Sequence, residues 1–214
     1  MSLRGVQRQS NLDSQVGRLL RFARNDMGGR LFLFVVSGLM LTVIQAPMSW
    51  SFLAWVAYVP FVLACSPAIR GRRLVLPAFV VGFLYWLINV YWITPITLIG
   101  WTAMCLYLAL FWPLLAVAVR FCRAKGLPMF LALPILVVGV EGLHGFPMGG
   151  FYWRFLGHSQ YSHLSMIQIA DLLGAAGVSF VVAMVNGLLV DFIIFVGQRR
   201  VGLAPPICPD RRRQ

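Results

Sequence analysis

The residues that could do chemistry are concentrated in one polar stretch, 144–171, of an otherwise apolar chain. It contains all three histidines of the protein, His144, His158 and His163, together with Arg154. Histidine can act as a general base or a metal ligand, but the spacing of these three matches no common zinc pattern. Serines lie beside them without the Gly-x-Ser-x-Gly turn of a nucleophilic serine. The stretch therefore favours recognition over catalysis, and no metal or other cofactor is expected.

Two acidic residues lie close to apolar segments, where an ionised side chain is costly unless it has a role. Glu141 directly precedes the polar stretch, and two interpretations stay open: a functional contact, or an interfacial carboxylate paired with His144 or Arg154. Asp191 lies near the basic pair at 199–200, and we expect it to be an interfacial partner of that pair.

The elements that must position the polar stretch are apolar helices. Of the 214 residues, 60% are hydrophobic and 11% are charged, and the mean hydropathy is +0.82. That is too little charge to cover a soluble domain of this size. Six apolar runs predict an all-α membrane protein with about six transmembrane helices. Only the third, fourth and sixth runs reach by themselves the length of about 20 residues that a crossing helix needs. The runs are 31–46, 50–65, 74–93, 96–119, 127–140 and 172–196.

Basic residues predict the orientation of these helices. Of the 18 Lys and Arg residues, all but Arg154 lie before the first run, after the sixth, between the second and third, or between the fourth and fifth. Because cytoplasmic loops have an excess of basic residues, both termini are predicted to be cytoplasmic, with a periplasmic loop at about 144–171. The net charge of +12 is explained by this distribution, so no nucleic-acid partner is expected.

The charge pattern also divides the chain. We predict a basic cytoplasmic segment at 1–29, a multi-pass membrane domain at 30–197 and a basic, proline-rich cytoplasmic tail at 198–214. Within the first segment, residues 11–24 have apolar side chains at helical spacing beside arginines. They form either a helix on the anionic inner leaflet or a disordered tail.

Aromatic residues are frequent at the predicted outer interface. They form either an ordinary aromatic belt or a lined entry for lipid tails or a lipid-modified substrate. The belt is sufficient for Trp50 and Trp101, whereas Trp153 lies within the glycine-rich polar stretch, and Tyr91 and Trp92 end the third run.

Motif residues extend over about 30–197. They are Glu141 and Leu143; Gly150, Phe151 and Trp153; Gly157, Ser159 and Gln160; Gly174, Gly177, Val178, Ser179, Phe180 and Asn186; and the segments LAWVAYVPFVLA (53–64), LYWLINVYW (84–92) and YLALFWPL (107–114). Together they resemble the membrane part of the apolipoprotein N-acyltransferases, whose pattern is close to Glu-x-Leu-Arg-Gly, Gly-Phe-Pro-Trp, Gly-Tyr-Ser-Gln and a helix ending in Asn. The chain departs from that pattern at His144, Tyr152 and His158, where the family has Arg, Pro and Tyr.

The resemblance implies a multi-pass protein of the bacterial inner membrane. Its substrates would be a phospholipid and a diacylated lipoprotein, whose N-terminal Cys receives an acyl chain. In the family, a nitrilase-like domain with a Glu-Lys-Cys triad does this chemistry. Here the only Glu is Glu141 and the only Lys is Lys125, and they are predicted on opposite sides of the membrane. Cys208 lies in the cytoplasmic tail. Because these residues cannot form the triad, no catalytic residue is expected. We therefore expect a truncated or split membrane part that needs a separate nitrilase-like catalytic chain.

The residues that the resemblance and the aromatic pattern favour for substrate contact are Trp153, Glu141, Gln160, Ser159, Gly157, Tyr91 and Trp92. A non-catalytic alternative stays open: a lipid-binding scaffold that recruits a partner enzyme such as a polyprenyl-phosphate glycosyltransferase. A transporter or channel is disfavoured because no span has a charged pore face.

Overall fold

A computed structural model describes residues 27–145 and 151–200. The predicted helix at 11–24, Gly150 and Cys208 lie outside these ranges. Within them every regular element is helical, which confirms the all-α prediction for the described part of the chain. The elements are α1 (Met27–Val43), α2 (Val59–Ala64), α3 (Arg72–Asn89), α4 (Leu98–Ala109), α5 (Phe111–Ala124), α6 (Met129–Gly145), α7 (Leu164–Ile167) and α8 (Ala170–Arg200), with short 3₁₀ helices at Ser51–Trp55, Tyr91–Ile93 and Leu156–Gln160.

Three helical stretches are long and apolar enough to cross a membrane, and they match the third, fourth and sixth predicted spans. They are Arg72–Asn89, Leu98–Ala124 and Ala170–Gln198. The other three predicted spans match the shorter apolar stretches Met27–Val43, Ser51–Ala64 and Met129–Gly145. The described chain thus has the apolar helices of a multi-pass membrane protein.

Two of the long stretches are interrupted at residues whose backbone chemistry explains the break. Between α4 and α5 the interruption falls at Leu110, three residues before Pro113. Pro113 has no N–H to donate to the carbonyl four residues earlier, and its ring crowds that carbonyl. In α8 the interruption is at Gly174, whose φ of 64° lies in the left-handed region that glycine adopts without steric cost.

The most extensive helix pair is α6 with α8, and a row of small residues on α8 allows it. Ser179 and Ala183 are fully buried. At Gly187 an added Cβ would lie 2.2 Å from the carbonyl oxygen of Met129, so only glycine fits there. The spacing of these three residues predicts a face for close packing, and the structure shows a close approach of α8 to α6 at Gly187 and to Gly157 at Ser179.

Asp191 binds the first turn of α6. Its Oδ1 accepts a hydrogen bond from the Met129 N–H and its Oδ2 accepts one from the Phe130 N–H, both at 3.0 Å. The side chains at 199–200 lie outside those that the structure describes, so the expected pairing of Asp191 with them stays a prediction. The first N–H groups of a helix have no partner within the helix and attract negative charge, so the carboxylate binds there.

Candidate functional site

The segment 151–160 is attached to both helices of the main pair through two consecutive backbone N–H groups. Oε1 of Glu141, on α6, accepts a hydrogen bond from the Leu156 N–H at 2.6 Å. Oγ of Ser179, on α8, accepts one from the Gly157 N–H at 2.8 Å. Both acceptors are buried, where a hydrogen bond to a charged or polar side chain is strongest. The segment therefore has a fixed position on the helix pair.

Gly157 is at the point of closest approach between this segment and α8. An added Cβ would lie 2.6 Å from the carbonyl oxygen of Ala175 and 3.0 Å from the backbone nitrogen of Ser179. Because both are backbone atoms, a side chain at 157 would push the segment away from α8. The requirement for glycine here is therefore steric.

The same segment is held on its other side by the chain that follows α1. The Gln45 Nε2 donates to the Phe155 carbonyl at 2.9 Å, and the Gln160 Nε2 donates to the Ser51 carbonyl at 3.0 Å. Gln160 also donates to the Ser159 Oγ, at 3.0 Å. Gln45, Ser159 and Gln160 are buried, so their polar atoms are used inside the protein.

Two further hydrogen bonds join the loop after α1 to the chain 155–163 at their exposed edge. Ser49 Oγ and the Tyr161 hydroxyl are hydrogen-bonded at 3.0 Å, and Ser51 Oγ and His163 Nε2 at 2.8 Å. The loop after α1 and the chain 155–163 therefore form one connected surface.

Three of the residues selected from the sequence for substrate contact are exposed and lie at one place. The rings of Trp92 and Trp153 are 5.6 Å apart between centroids, with exposed fractions of 47% and 58%. Tyr91, the neighbour of Trp92, is 68% exposed. We call Tyr91, Trp92 and Trp153 the aromatic surface. The structure thus brings the end of α3 and the segment 151–160 together, although about 60 residues separate them.

The other four selected residues, Glu141, Gly157, Ser159 and Gln160, are buried. The Glu141 Oε1, the Gly157 N–H and the Gln160 amide bind other parts of the protein. The Ser159 hydroxyl donates to the Leu156 carbonyl within the segment. The four residues lie beneath the surface that Trp153 helps to form, and the structure places them where they hold the segment.

The pairing of Glu141 with His144 or Arg154 that the sequence left open is wrong as a direct contact. Four buried polar atoms of these three residues have no hydrogen-bond partner among the described residues. They are the second oxygen of Glu141, both ring nitrogens of His144 and Nη1 of Arg154. The His144 ring instead meets Trp86 and Phe111 edge to face, at 5.7 and 4.6 Å between centroids. Sequence proximity therefore gave the wrong partner for Glu141.

His158 lies outside the membrane-spanning helices and stacks on Phe155, 5.3 Å away between centroids. Its Nδ1 accepts a hydrogen bond from the Phe155 N–H at 3.3 Å. Burial lowers the pKa of His158 below its ordinary value of 6.5, because the charged ring is disfavoured away from water. At neutral pH the ring is uncharged, as an acceptor must be.

Asn186 is a buried residue that the sequence identified only as a motif match, and its amide joins three helical elements. Its Oδ1 accepts from the Tyr58 N–H at 2.9 Å, and its Nδ2 donates to the Ala54 carbonyl at 2.8 Å. It thereby satisfies backbone groups where the 3₁₀ helix and α2 meet α8. An amide in an otherwise apolar helix is the sequence signal for such a bond.

Comparison with known proteins places these residues in a family context. Residues 37–188 match the family model described as the apolipoprotein N-acyltransferase N-terminal domain. The chain is 36% identical over 174 residues to an apolipoprotein N-acyltransferase of Geobacter metallireducens, a match that covers 74% of this chain and 32% of that protein. It is 31% identical over 159 residues to one of Chlorobaculum tepidum, covering 70% and 29%, and 29% identical over 156 residues to one of Rhodopirellula baltica, covering 65% and 27%. The matched part of the chain thus spans about a third of the length of these relatives.

Proposed function

The chain belongs to the apolipoprotein N-acyltransferase family through the N-terminal domain, and on that basis we propose that it is the membrane-embedded part of a lipoprotein N-acyltransferase. The reaction transfers an acyl chain from a phospholipid to the N-terminal Cys of a diacylated lipoprotein. In this proposal the chain holds the lipid substrates at its outer face for a nitrilase-like catalytic domain that performs the transfer.

The observation that supports substrate docking is the aromatic surface. Large aromatic side chains with one apolar and one polar end suit the boundary between lipid and water. An ordinary belt needs no fixed framework. Here, however, the segment that presents Trp153 is attached to Glu141 and Ser179 by hydrogen bonds. In the proposal, Trp153, Trp92 and Tyr91 contact the substrate.

The four buried residues have a different part in this proposal. Glu141, Gly157, Ser159 and Gln160 hold the segment in the position from which Trp153 reaches the substrate. A well-packed supporting structure lowers the entropy lost when a ligand binds. These residues are therefore assigned to positioning.

We assign no catalytic residue to this chain. A nucleophilic Cys needs a polar setting and a neighbouring base to form its thiolate. Cys65 and Cys105 are fully buried in the hydrophobic core, which disfavours that state.

We further propose that the chain lies in the bacterial inner membrane with six spans and both termini in the cytoplasm. A phosphatase reporter fused after Gln214 should be inactive, because phosphatases of this kind work only in the periplasm. The same reporter inserted after Ser162 should be active. An active reporter after Gln214 contradicts this topology.

Docking is tested by binding of a fluorescent diacylated lipopeptide to the full chain in lipid nanodiscs. The double change Trp92→Ala with Trp153→Ala should weaken binding about 30-fold, the loss expected for about 2 kcal/mol from a buried aromatic contact. Trp50→Ala is the matched control, because Trp50 is also exposed but stacks on Phe52 outside the aromatic surface. Equal losses in both variants, or no loss in the double variant, argue against docking at this surface.

A further inference from the structure

A small cavity lies beneath the segment 151–160. Its volume is about 50 Å³. Most of its wall is apolar and comes from α1, α2, α3, α5 and α6, while Glu141, His144 and Arg154 provide charged or ionisable groups. Gln45, Tyr58 and Tyr85 also line it. The cavity thus has a polar wall inside a hydrophobic helix bundle.

Four of the polar atoms on this wall have no hydrogen-bond partner among the residues that the structure describes. They are the Oε2 of Glu141, both ring nitrogens of His144 and the Nη1 of Arg154. Glu141 is 6% exposed and His144 is 8% exposed. Polar atoms buried in this way nearly always bind another protein group or an ordered water molecule. Three such residues around one cavity therefore indicate a common ligand.

The backbone at Arg154 is a second, independent observation. Its φ is 64°, a left-handed conformation that is unfavourable for a residue with a side chain and that persists where other contacts stabilise it. Trp153, its neighbour, is exposed, while Nη1 of Arg154 is buried at the cavity. A cation near an interface would ordinarily extend towards water or lipid headgroups. The burial of Nη1 therefore requires a favourable partner inside.

The charges of the wall restrict what this partner is. An anion in the cavity would lie beside the Glu141 carboxyl group and a cation would lie beside the Arg154 guanidinium, because both side chains line it. A neutral molecule that both donates and accepts hydrogen bonds suits carboxylate, imidazole and guanidinium together. The volume admits a few water molecules, each of which needs about 10–15 Å³ of such space.

We infer that this cavity binds a cluster of ordered water molecules that bridges the Arg154 guanidinium to the Glu141 carboxylate and the His144 ring. The cluster is a second attachment of the segment 151–160 to α6, beside the direct bond from Leu156 to Glu141. Arg154 is thereby a positioning residue for Trp153, and this last clause alone rests on the proposed docking function.

Radiolytic footprinting of the full chain in nanodiscs tests the inference. X-ray pulses produce hydroxyl radicals from water where it is bound, so side chains beside internal water are oxidised even when they are buried. Tyr85 and Trp86 line the cavity, whereas Phe34 and Met129 are equally buried away from it. After correction for intrinsic reactivity, Tyr85 and Trp86 should be oxidised several-fold faster than Phe34 and Met129. Equal rates at the four positions overturn the inference.

Two variants test whether the water that causes this oxidation is bound in the cavity. Val137→Ile adds a methylene to the wall and should lower oxidation of Tyr85 and Trp86 by displacing water. Arg154→Met keeps an unbranched apolar side chain but removes the guanidinium, and should lower this oxidation as well. Unchanged oxidation in both variants contradicts the bridge. The wild-type measurement decides the question even if a variant fails to fold. Because no lipopeptide is used, failure here is distinct from failure of the docking proposal.

Discussion

Gly187→Ala is expected to be the most destabilising single-methyl change in α8. The new Cβ would lie 2.2 and 2.5 Å from the carbonyl oxygen and carbon of Met129 and 2.8 Å from Cα of Phe130. All three are backbone atoms, so relief requires α6 to move away from α8. Overpacking of this kind costs about 1–3 kcal/mol or more, and thermal unfolding of the chain in detergent measures it.

Gly197→Ala is the matched control for this change. It lies in the same helix, and an added Cβ there meets nothing within 4 Å. Replacing a glycine by alanine in a helix with free space gains up to about 1 kcal/mol, so this variant should unfold at the same or a higher temperature. If the two variants unfold at the same temperature, the close contact at Gly187 does not determine the stability of the helix pair.

Asp191→Ala should have the second large effect, because it removes the acceptor of two N–H groups at the start of α6. The Met129 and Phe130 N–H groups each donate to Asp191 at 3.0 Å. Hydrogen bonds to a charged group contribute about 1.5–3 kcal/mol each. We expect a loss of about 3–4 kcal/mol in the free energy of unfolding, at the lower end of the range for two such bonds.

Asp191→Asn measures the contribution of the negative charge to stability separately from that of the hydrogen bonds. Its side chain keeps one acceptor oxygen but no negative charge, so its loss should be intermediate between wild type and Asp191→Ala. Asp171→Ala, an exposed acid in the first turn of the same helix, is the control and should change stability little. If Asp191→Asn is as stable as wild type, the carboxylate does not act through its charge.

The helices could be predicted from the sequence because run length and hydropathy depend on neighbouring residues alone. The partners of the two membrane acids could not. For Asp191 the sequence favoured nearby arginines and did not predict the bonds to residues 62 and 61 positions away. For Glu141 it favoured His144 or Arg154, yet the partner is a backbone N–H. Every residue except proline has such a group, so the sequence contains no signal that marks Leu156.

For the aromatic surface, too, the individual residues could be predicted from the sequence but their contact could not. Tyr91, Trp92 and Trp153 could each be selected from sequence, since aromatic residues at the ends of apolar runs are typical of interfaces. The contact between Trp92 and Trp153 depends on the packing of several helices, which no local pattern specifies. Gly157 was selected as a contact residue because a motif contains it, whereas its steric role appears only with Ala175 and Ser179 in place.

The length of α6 has a consequence for the lipid around it. Its 17 residues extend about 26 Å at 1.5 Å per residue, which is less than the hydrocarbon thickness of about 30 Å. The helix binds Asp191 at its first turn and the segment 151–160 at Glu141, near its end. A membrane around α6 would therefore be locally thinner than its average hydrocarbon thickness.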